Sequence, residues 1–441
     1  MSLQKLKLFA IQQIKLSKTD AGLSFDLTLE PGRRVYCFIG ENGAGKTVLL
    51  ESLAHVLLHQ HSLWWGPPSW GGDLTGLYQQ LVRGGLKSES VRVPPDAVID
   101  GRNLMLKQWP VRLSQLSHSP PPNEFFTHPL VLVPATQRVT LEGIGPTALR
   151  LVGSTDEALA QALDRLIQAT QRAPLEATSV AHWLSSRLLI DPRFVVGLRN
   201  VRHEAEALLR LLAAFDPDHF GGVIEEVEGE TRLAVSYQDG TLRFMGRPID
   251  RLASGYTALI KILQEVVSSI AAWEAVRGSS DILSSDAVVL IDELDAHLHP
   301  RWQRRLLPFL KQSFPRATFF VTTHSPLVVR DTDPGEAYEL VRAGNEVTAR
   351  ALGSPRDWYL SDVLADAFHV DLPPVGTEGT DTTPSLVDLL LGYSAHVRAF
   401  AASRGTAERE AALGLYSAIV ARLPADDPRL SSVTHLRQIL G

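Results

Sequence analysis

A glycine-rich turn at residues 40–47 carries the clearest chemical pattern in the sequence. It reads G-E-N-G-A-G-K-T, which fits G-x-x-x-x-G-K-[ST] at every position. Backbone N–H groups can wrap a phosphate where glycines keep side chains away, so we expect Lys46 to pair with nucleotide β- and γ-phosphates and Thr47 to bind Mg²⁺. The phosphate-binding residues predicted from the motif are Gly40, Glu41, Asn42, Gly43, Ala44, Gly45, Lys46 and Thr47.

Two carboxylates directly follow a second apolar run, Val288 to Ile291. In a nucleotide-hydrolysing site, Asp292 would hold Mg²⁺ directly or through water, and Glu293 would orient or deprotonate the attacking water. Taken alone, an apolar run that ends in two acidic residues is most often a solvated strand terminus. The phosphate loop upstream favours the catalytic interpretation.

One histidine, His324, follows the apolar run that ends at Thr323. A neutral imidazole at the carboxyl end of a strand can hydrogen-bond a γ-phosphate, although a histidine before Pro326 could simply cap a turn. The order of the three motifs favours a catalytic role. His297 and His299 alternate in sequence, but no further ligand cluster accompanies them, so we expect no zinc site.

These residues must be positioned by a sheet. Val35 to Ile39 has the apolar character of a buried strand, and Val48 to Leu58 has that of a packed helix. Two further buried strands, 287–291 and 318–322, are separated by a helix over 301–314. The order strand, helix, strand predicts parallel pairing.

The remaining elements are mostly helical. Residues 148–218 have helical periodicity and are predicted to form an insert, and a long helix is expected from Tyr256 to Val276. Hairpins are expected at Asp239–Gly240 and at Gly344–Asn345. From about Trp358 onward we expect four short helices.

Composition narrows the class of protein. The chain has 441 residues, 44% hydrophobic residues, one cysteine and a formal charge of −6. Such a chain is neither disordered nor a disulfide scaffold, and its charge leaves DNA binding open only through a local groove. No signal peptide or membrane span is expected, which predicts a cytoplasmic protein without a membrane partner.

The combined motifs resemble the ABC-type ATPase heads of the SMC, RecF-like and OLD (overcoming lysogenisation defect) group. Asn42 in the phosphate loop is typical of that group. The residues that look like its Walker B motif and D-loop are Ile291, Asp292 and Glu293, followed by Leu298, His299 and Pro300. Thr323 to Pro326 looks like its switch histidine, and Leu252 to Tyr256 looks like its signature motif. The resemblance spans Leu3 to about Ala351.

The resemblance implies a composite site. ATP would lie between the phosphate loop of one head and Ser254 and Gly255 of another, so that heads associate on ATP at least as a dimer. Gln137 would be the Q-loop glutamine, which contacts nucleotide and Mg²⁺. One departure is Ala253, which replaces a serine usual in the family and leaves hydrolytic competence open.

The implied fold is α/β, a P-loop ABC-type head with a mixed, largely parallel core sheet, a helical insert and a C-terminal helical region. The predicted boundaries are 1–147 for the first part of the head, 148–218 for the insert, 219–352 for the second part and 353–441 for the tail. The tail is expected to cap the head, with a docking surface for a partner as the alternative.

No nuclease domain is expected in this chain. Glu378 to Asp381 only faintly resembles the opening of a TOPRIM nuclease, and Pro373 to Pro384 is interpreted as a linker. The chain resembles single-module ATPases of the group, including Septu-type anti-phage ATPases that work with a separately encoded nuclease. Two hypotheses remain: an ATPase acting in DNA-linked processes with such a nuclease, or a slow nucleotide-gated scaffold that does not itself act on DNA.

Overall fold

The computed structural model describes residues 11–17, 19–61, 96–99, 102–103, 126, 128–135, 154–170, 180–189, 201–227, 230–233, 235–238, 241–244, 247–248, 252–358, 360–369, 386–422 and 428–440. The chain divides into two compact units, Met1–Phe368 and His369–Gly441. Gln137 and the linker predicted at Pro373 to Pro384 lie outside the described residues.

A ten-stranded sheet forms the centre of the first unit. Its strands are β1 (Gln13–Ser17), β2 (Ser24–Thr28), β3 (Val35–Ile39), β4 (Asp96–Ile99), β5 (Arg102–Asn103), β6 (Leu130–Val133), β12 (Val288–Ile291), β13 (Thr318–Thr322), β14 (Ala337–Ala343) and β15 (Glu346–Ala351). Their spatial order is β5-β4-β1-β2-β15-β14-β3-β13-β12-β6. Strand β3, which precedes the phosphate loop, therefore lies well inside the sheet.

Pairing in this sheet is mixed. Strand β3 runs parallel to both neighbours, β13 and β14, and β12 runs parallel to β13 and β6. The pairs β1–β2, β1–β4, β4–β5 and β14–β15 are antiparallel, whereas β15 is parallel to β2. The predicted parallel core and the hairpin at Gly344–Asn345 are confirmed.

Both faces of the sheet are covered. On one face, Val35 and Cys37 contribute to an apolar core, and on the other face Tyr36 and Phe38 contribute to a second core. Because successive side chains of a strand point to opposite faces, every residue of a doubly covered strand is apolar and buried. This explains the unbroken apolar run at 35–39.

Helices of the first unit are α1 (Lys46–His59), α2 (Thr155–Thr170), α3 (Val180–Leu188), α4 (Arg202–Phe215), α5 (Pro217–Phe220), α6 (Ser254–Val276), α7 (Pro300–Ser313), α8 (Pro326–Arg330) and α9 (Leu360–Phe368). Two smaller sheets pair β7 (Ile224–Val227) with β8 (Glu230–Leu233), and join β9 (Val235–Gln238), β10 (Thr241–Phe244) and β11 (Arg247–Pro248). The hairpin predicted at Asp239–Gly240 is confirmed by the β9–β10 pairing.

The helices of the 148–218 segment and helix α9 pack against the cores of the first unit. Of the helices in the 148–218 segment, α2 packs into the core that holds Tyr36 and α4 packs into the core that holds Val35. Helix α9 lies in the first unit, where Val363 and Ala367 pack with Ile39 of β3.

The second unit contains helices α10 (Leu386–Ser403), α11 (Thr406–Val420) and α12 (Pro428–Leu440). Its core contains Leu389, Tyr393, Ala412 and Ile419. The Tyr393 hydroxyl donates a hydrogen bond to Val433 O at 3.1 Å, which ties the first of these helices to the last. With α9, these are the four helices predicted after Trp358. In the described part of the chain, no helix is both long and apolar enough to span a membrane.

Candidate functional site

The glycine-rich loop turns sharply between β3 and α1. Gly40 has a φ of 147°, and a Cβ built there would lie 2.8 Å from the carbonyl oxygen of Leu340 on β14. Gly45 has a φ of 96° and is the N-cap residue of α1. Residues with side chains rarely adopt such φ values, so the glycines allow the loop to curl over the start of the helix. This places backbone N–H groups where an anion can bind.

Lys46 is buried at the first position of α1, with 7% of its surface exposed. Its Nζ donates hydrogen bonds to Gly40 O at 2.8 Å and Glu41 O at 3.0 Å. Burial lowers the pKa of Lys46, and the carboxylates of Asp292, Glu293 and Asp295 act in the opposite direction. Burial has the larger effect, so the pKa of Lys46 lies below its usual value, and the three carboxylates limit that lowering.

Asp292 ends β12 and is buried beside the loop. It accepts hydrogen bonds from Thr47 Oγ1 at 2.8 Å and from Thr322 Oγ1 at 2.6 Å. The Thr47 hydroxyl and the Asp292 carboxylate thus lie together as two possible oxygen ligands, and Mg²⁺ prefers oxygen ligands. The residues present therefore fit a magnesium ion.

Glu293 has a left-handed backbone with a φ of 49°. Such a φ is uncommon for a residue with a side chain and persists where neighbouring contacts impose it. The contact here is Thr322, whose Oγ1 accepts a hydrogen bond from Glu293 N at 2.7 Å while its carbonyl accepts one from Leu294 N at 2.8 Å. One threonine therefore fixes both Asp292 and the Glu293 backbone.

His324 is positioned by Asp295. The Asp295 carboxylate accepts hydrogen bonds from Thr323 Oγ1 and from His324 N, the latter at 3.0 Å. Ser325 N in turn donates to Thr323 Oγ1 at 2.9 Å. The turn after β13 is thus tied to the turn after β12, while the His324 side chain remains exposed.

A cavity of about 290 Å³ joins these groups. The phosphate loop contributes one wall, and Glu293 and His324 line the same space. The lining residues are Ala21, Leu23, Asn42, Gly43, Gly45, Lys46, Thr47, Val48, Glu293, His324 and Arg342. Three motifs that are far apart in sequence therefore meet at one cavity.

The signature motif lies elsewhere. Ser254 and Gly255 begin α6 and do not line this cavity. Ser254 is exposed, whereas Gly255 packs so closely on the turn after β12 that a Cβ there would lie 3.2 Å from His297 O. The ring of Tyr256 packs edge-on against Trp302 at 4.8 Å. The motif is anchored to its own head but presents Ser254 outward.

The two alternating histidines have different surroundings. His299 is the N-cap residue of α7, where its Nδ1 accepts a hydrogen bond from Arg301 N at 3.3 Å. His297 is exposed and has a φ of 65°. Within the described residues, no three His, Cys, Asp or Glu side chains form a group that could hold a metal.

Three residues of the site were not assigned a role from the sequence. Thr322 was expected only as part of a buried strand, and no role was predicted for Asp295. Arg342 had no sequence signal, because the contact that places it at the site joins residues far apart in the chain. Its Nη1 donates a hydrogen bond at 2.8 Å to the carbonyl oxygen of Gly43, 299 residues earlier. One signal could have identified Thr322. It ends a buried strand that is predicted to pair with the strand before the acidic residues Asp292 and Glu293.

One stretch of the chain matches a known protein family. Residues 274–330, which include Asp292, Glu293 and His324, match the family described as "AAA domain, putative AbiEii toxin, Type IV TA system". Over these residues the chain is similar to that family. The match covers β12, β13 and the turns after them, but not the phosphate loop.

Relatives with assigned names cover parts of the chain. Septu protein PtuA from Bacillus thuringiensis is 28% identical over 144 residues, 32% of this chain and 35% of that protein. The Retron Vc95 probable ATPase from Vibrio cholerae serotype O1 biovar El Tor is 42% identical over 125 residues, 27% of this chain and 24% of that protein. Each match therefore spans about a third or less of the relative. The predicted resemblance to Septu-type ATPases is confirmed.

Among solved structures, the SMC head bound to the C-winged helix domain of ScpA aligns with a TM-score of 0.38 and 12% identity, over 78% of this chain and 97% of that chain.

Proposed function

We propose that the chain binds ATP with Mg²⁺ and hydrolyses it to ADP and phosphate. The observation that carries the proposal is the single cavity lined by Lys46, Thr47, Glu293 and His324. Lys46 and the N–H groups at the start of α1 would bind the phosphates. Thr47 and Asp292 would hold Mg²⁺, which neutralises phosphate charge when bound.

In this mechanism Glu293 accepts a proton from the attacking water and so positions it toward the γ-phosphate. Thr322 keeps Glu293 in place because Thr322 Oγ1 accepts a hydrogen bond from Glu293 N. The imidazole of His324 donates a hydrogen bond to the γ-phosphate, and Asp295 keeps the His324 backbone in position. Gln137 remains a predicted contact to nucleotide and Mg²⁺.

We further propose that heads associate on ATP. Ser254 and Gly255 do not line the cavity of their own head, and Ser254 faces outward. The signature motif is therefore available to the nucleotide of a second copy. Since the N-cap residue of α6 is Ala253, which makes no side-chain cap hydrogen bond, the contact would depend on Ser254 and the backbone.

The test of both proposals is Glu293→Gln. This change keeps the side-chain size but removes the proton acceptor, so the hydrolysis rate should fall by about 10²- to 10⁴-fold. Nucleotide binding should remain, and light scattering should show heads that stay associated in ATP. Glu346→Gln, an exposed position on the β14–β15 hairpin, is the matched control and should behave as wild type. Undiminished hydrolysis in Glu293→Gln, or only monomers in ATP, would contradict the proposals.

The biological role that we propose is anti-phage defence together with a separately encoded nuclease acting on DNA. Its support is the similarity to proteins named Septu PtuA and retron probable ATPase. A slow nucleotide-gated scaffold is the second candidate, and Ala253 in the signature supports it. ATPase rates with and without DNA ends separate the two. Strong stimulation favours the DNA-linked role, and a flat response favours the scaffold.

A further inference from the structure

Arg342 is held at the rim of the cavity by two hydrogen bonds. Its Nη1 donates to Gly43 O at 2.8 Å, and its Nε donates to Gly344 O at 2.7 Å. Bonds on two sides fix the plane of the guanidinium group. No hydrogen bond from its Nη2 amino group to a described residue accompanies them, and the side chain lines the cavity with Lys46. The group is therefore oriented and still able to donate.

The strand order tells which end of a nucleotide Arg342 would meet. Glu293 and His324 follow β12 and β13, which lie on one side of β3. Arg342 is on β14, which lies on the other side of β3. Leu23, an apolar lining residue, precedes β2 on that same side. The lining thus has a hydrolytic side and an opposite side with a cation and apolar groups.

From this placement we propose that Arg342 is a nucleotide-contacting residue that binds the α-phosphate, on the nucleoside side of the phosphate loop. The inference rests on the proposed function, because the γ-phosphate must face Glu293 and His324. An arginine whose plane is already fixed loses little freedom when it binds a phosphate oxygen. Since ADP and ATP share the α-phosphate, the contact would serve both nucleotides.

The expected effect of Arg342→Ala is an equal loss of affinity for ADP and for a non-hydrolysable ATP analogue. A hydrogen bond between charged groups corresponds to about 10- to 100-fold in affinity. Arg342→Lys keeps the charge but not the planar fork, so its loss should be smaller. Arg33→Ala is the charge-matched control, because Arg33 precedes β3 at the end away from the loop and pairs with Glu30 at the surface. It should not change affinity.

If Arg342 only supported Gly43, Arg342→Ala would also lower the affinity for both nucleotides. The experiment therefore needs a second readout. Isothermal titration of wild type and Arg342→Ala with ADP and the two diastereomers of ADPαS supplies it. Sulfur at the contacted α-oxygen should cost wild type affinity for one diastereomer, and this cost should be lost in Arg342→Ala.

Three results would overturn the inference. In the first, Arg342→Ala loses affinity for the ATP analogue but not for ADP, and in the second it loses affinity for neither. In the third, sulfur substitution lowers affinity equally in wild type and in Arg342→Ala. The first would place Arg342 against the γ-phosphate, and the last would make it only a brace. Failure of the wild-type chain to bind either nucleotide would instead overturn the proposed function, so the two failures are distinguishable.

Discussion

Helix α1 has buried basic residues at both ends, and the two ends differ in their neighbours. At the first turn, Lys46 lies against loop carbonyls and near the carboxylates of Asp292 and Glu293. At the last turn, His59 and the adjoining His61 are buried, and burial lowers the pKa of His61 to about 3 and that of His59 well below its usual range.

The surroundings of His61 are mostly apolar. Its Nε2 lies 3.0 Å from His128 O, and its ring packs beside Trp273 at 4.5 Å and Phe126 at 5.6 Å. Burial disfavours charge at both ends of the helix. Among the described residues, the carboxylates that counteract it act on Lys46, and none is a cause of the pKa shifts of His59 and His61. Burial of a basic residue therefore does not by itself identify a site. Nearby acidic groups and an open cavity do.

The largest effect should come from Lys46→Ala. Removing the ammonium group eliminates charge-assisted hydrogen bonds to phosphate, so affinity for ADP and ATP should fall by more than about 100-fold. Calorimetric titration measures this loss. His59→Leu at the other end of α1 is the matched variant, which should change the thermal midpoint but leave nucleotide affinity within about twofold. If Lys46→Ala and His59→Leu lost nucleotide affinity equally, the two ends of α1 would not differ in their role in binding.

Asp295→Ala tests the carboxylates that surround the Lys46 end. Asp295 is not among the cavity-lining residues, but it holds Thr323 and the His324 backbone. Loss of this support should lower kcat by about tenfold, because a small misplacement of a catalytic group has a large effect on rate, while ADP affinity changes little. Single-turnover hydrolysis and ADP titration measure the two quantities. Asp295→Asn retains an acceptor oxygen and should recover part of kcat, whereas a lost ADP affinity would assign Asp295 to binding instead.

A smaller effect is expected at the histidine end, through pH. An unfolded histidine titrates near 6.5, and His61 in the folded chain titrates near 3. Its contribution to stability is complete above pH 6.5 and is lost as pH falls toward 3. The loss is about 1.4 kcal/mol per pH unit for each such histidine. Urea unfolding between pH 7.5 and 5 measures the slope.

His61→Phe removes one titrating group and should flatten that slope by about one histidine's share. The window above pH 5 lies above the usual range of carboxylates, so Asp216 and Asp333, whose pKa values are also lowered, contribute little to it. Parallel slopes for wild type and variant would show that His61 does not titrate differently in the two states.

Local sequence was enough to predict the phosphate loop and the strand that ends at Asp292. In both, the chemistry and the element that positions it are adjacent in the chain. It was not enough for α2 and α4, because an amphipathic pattern predicts that a helix buries one face without saying which side of the sheet it covers. Arg342 was missed for a similar reason, since its contact to Gly43 depends on strand order.

The site's hydrogen bonds join residues far apart in the chain. Thr47 and Asp292 are 245 residues apart, and Gly43 and Arg342 are 299 apart. Contacts of such separation form late, since the chain must first close long loops. During synthesis at roughly 5–20 residues per second, the phosphate loop therefore emerges from the ribosome many seconds before its partners. Both neighbours of β3 in the sheet, β13 and β14, also come from the late part of the chain. The sheet around the phosphate loop therefore cannot be completed until the chain has been translated past residue 339.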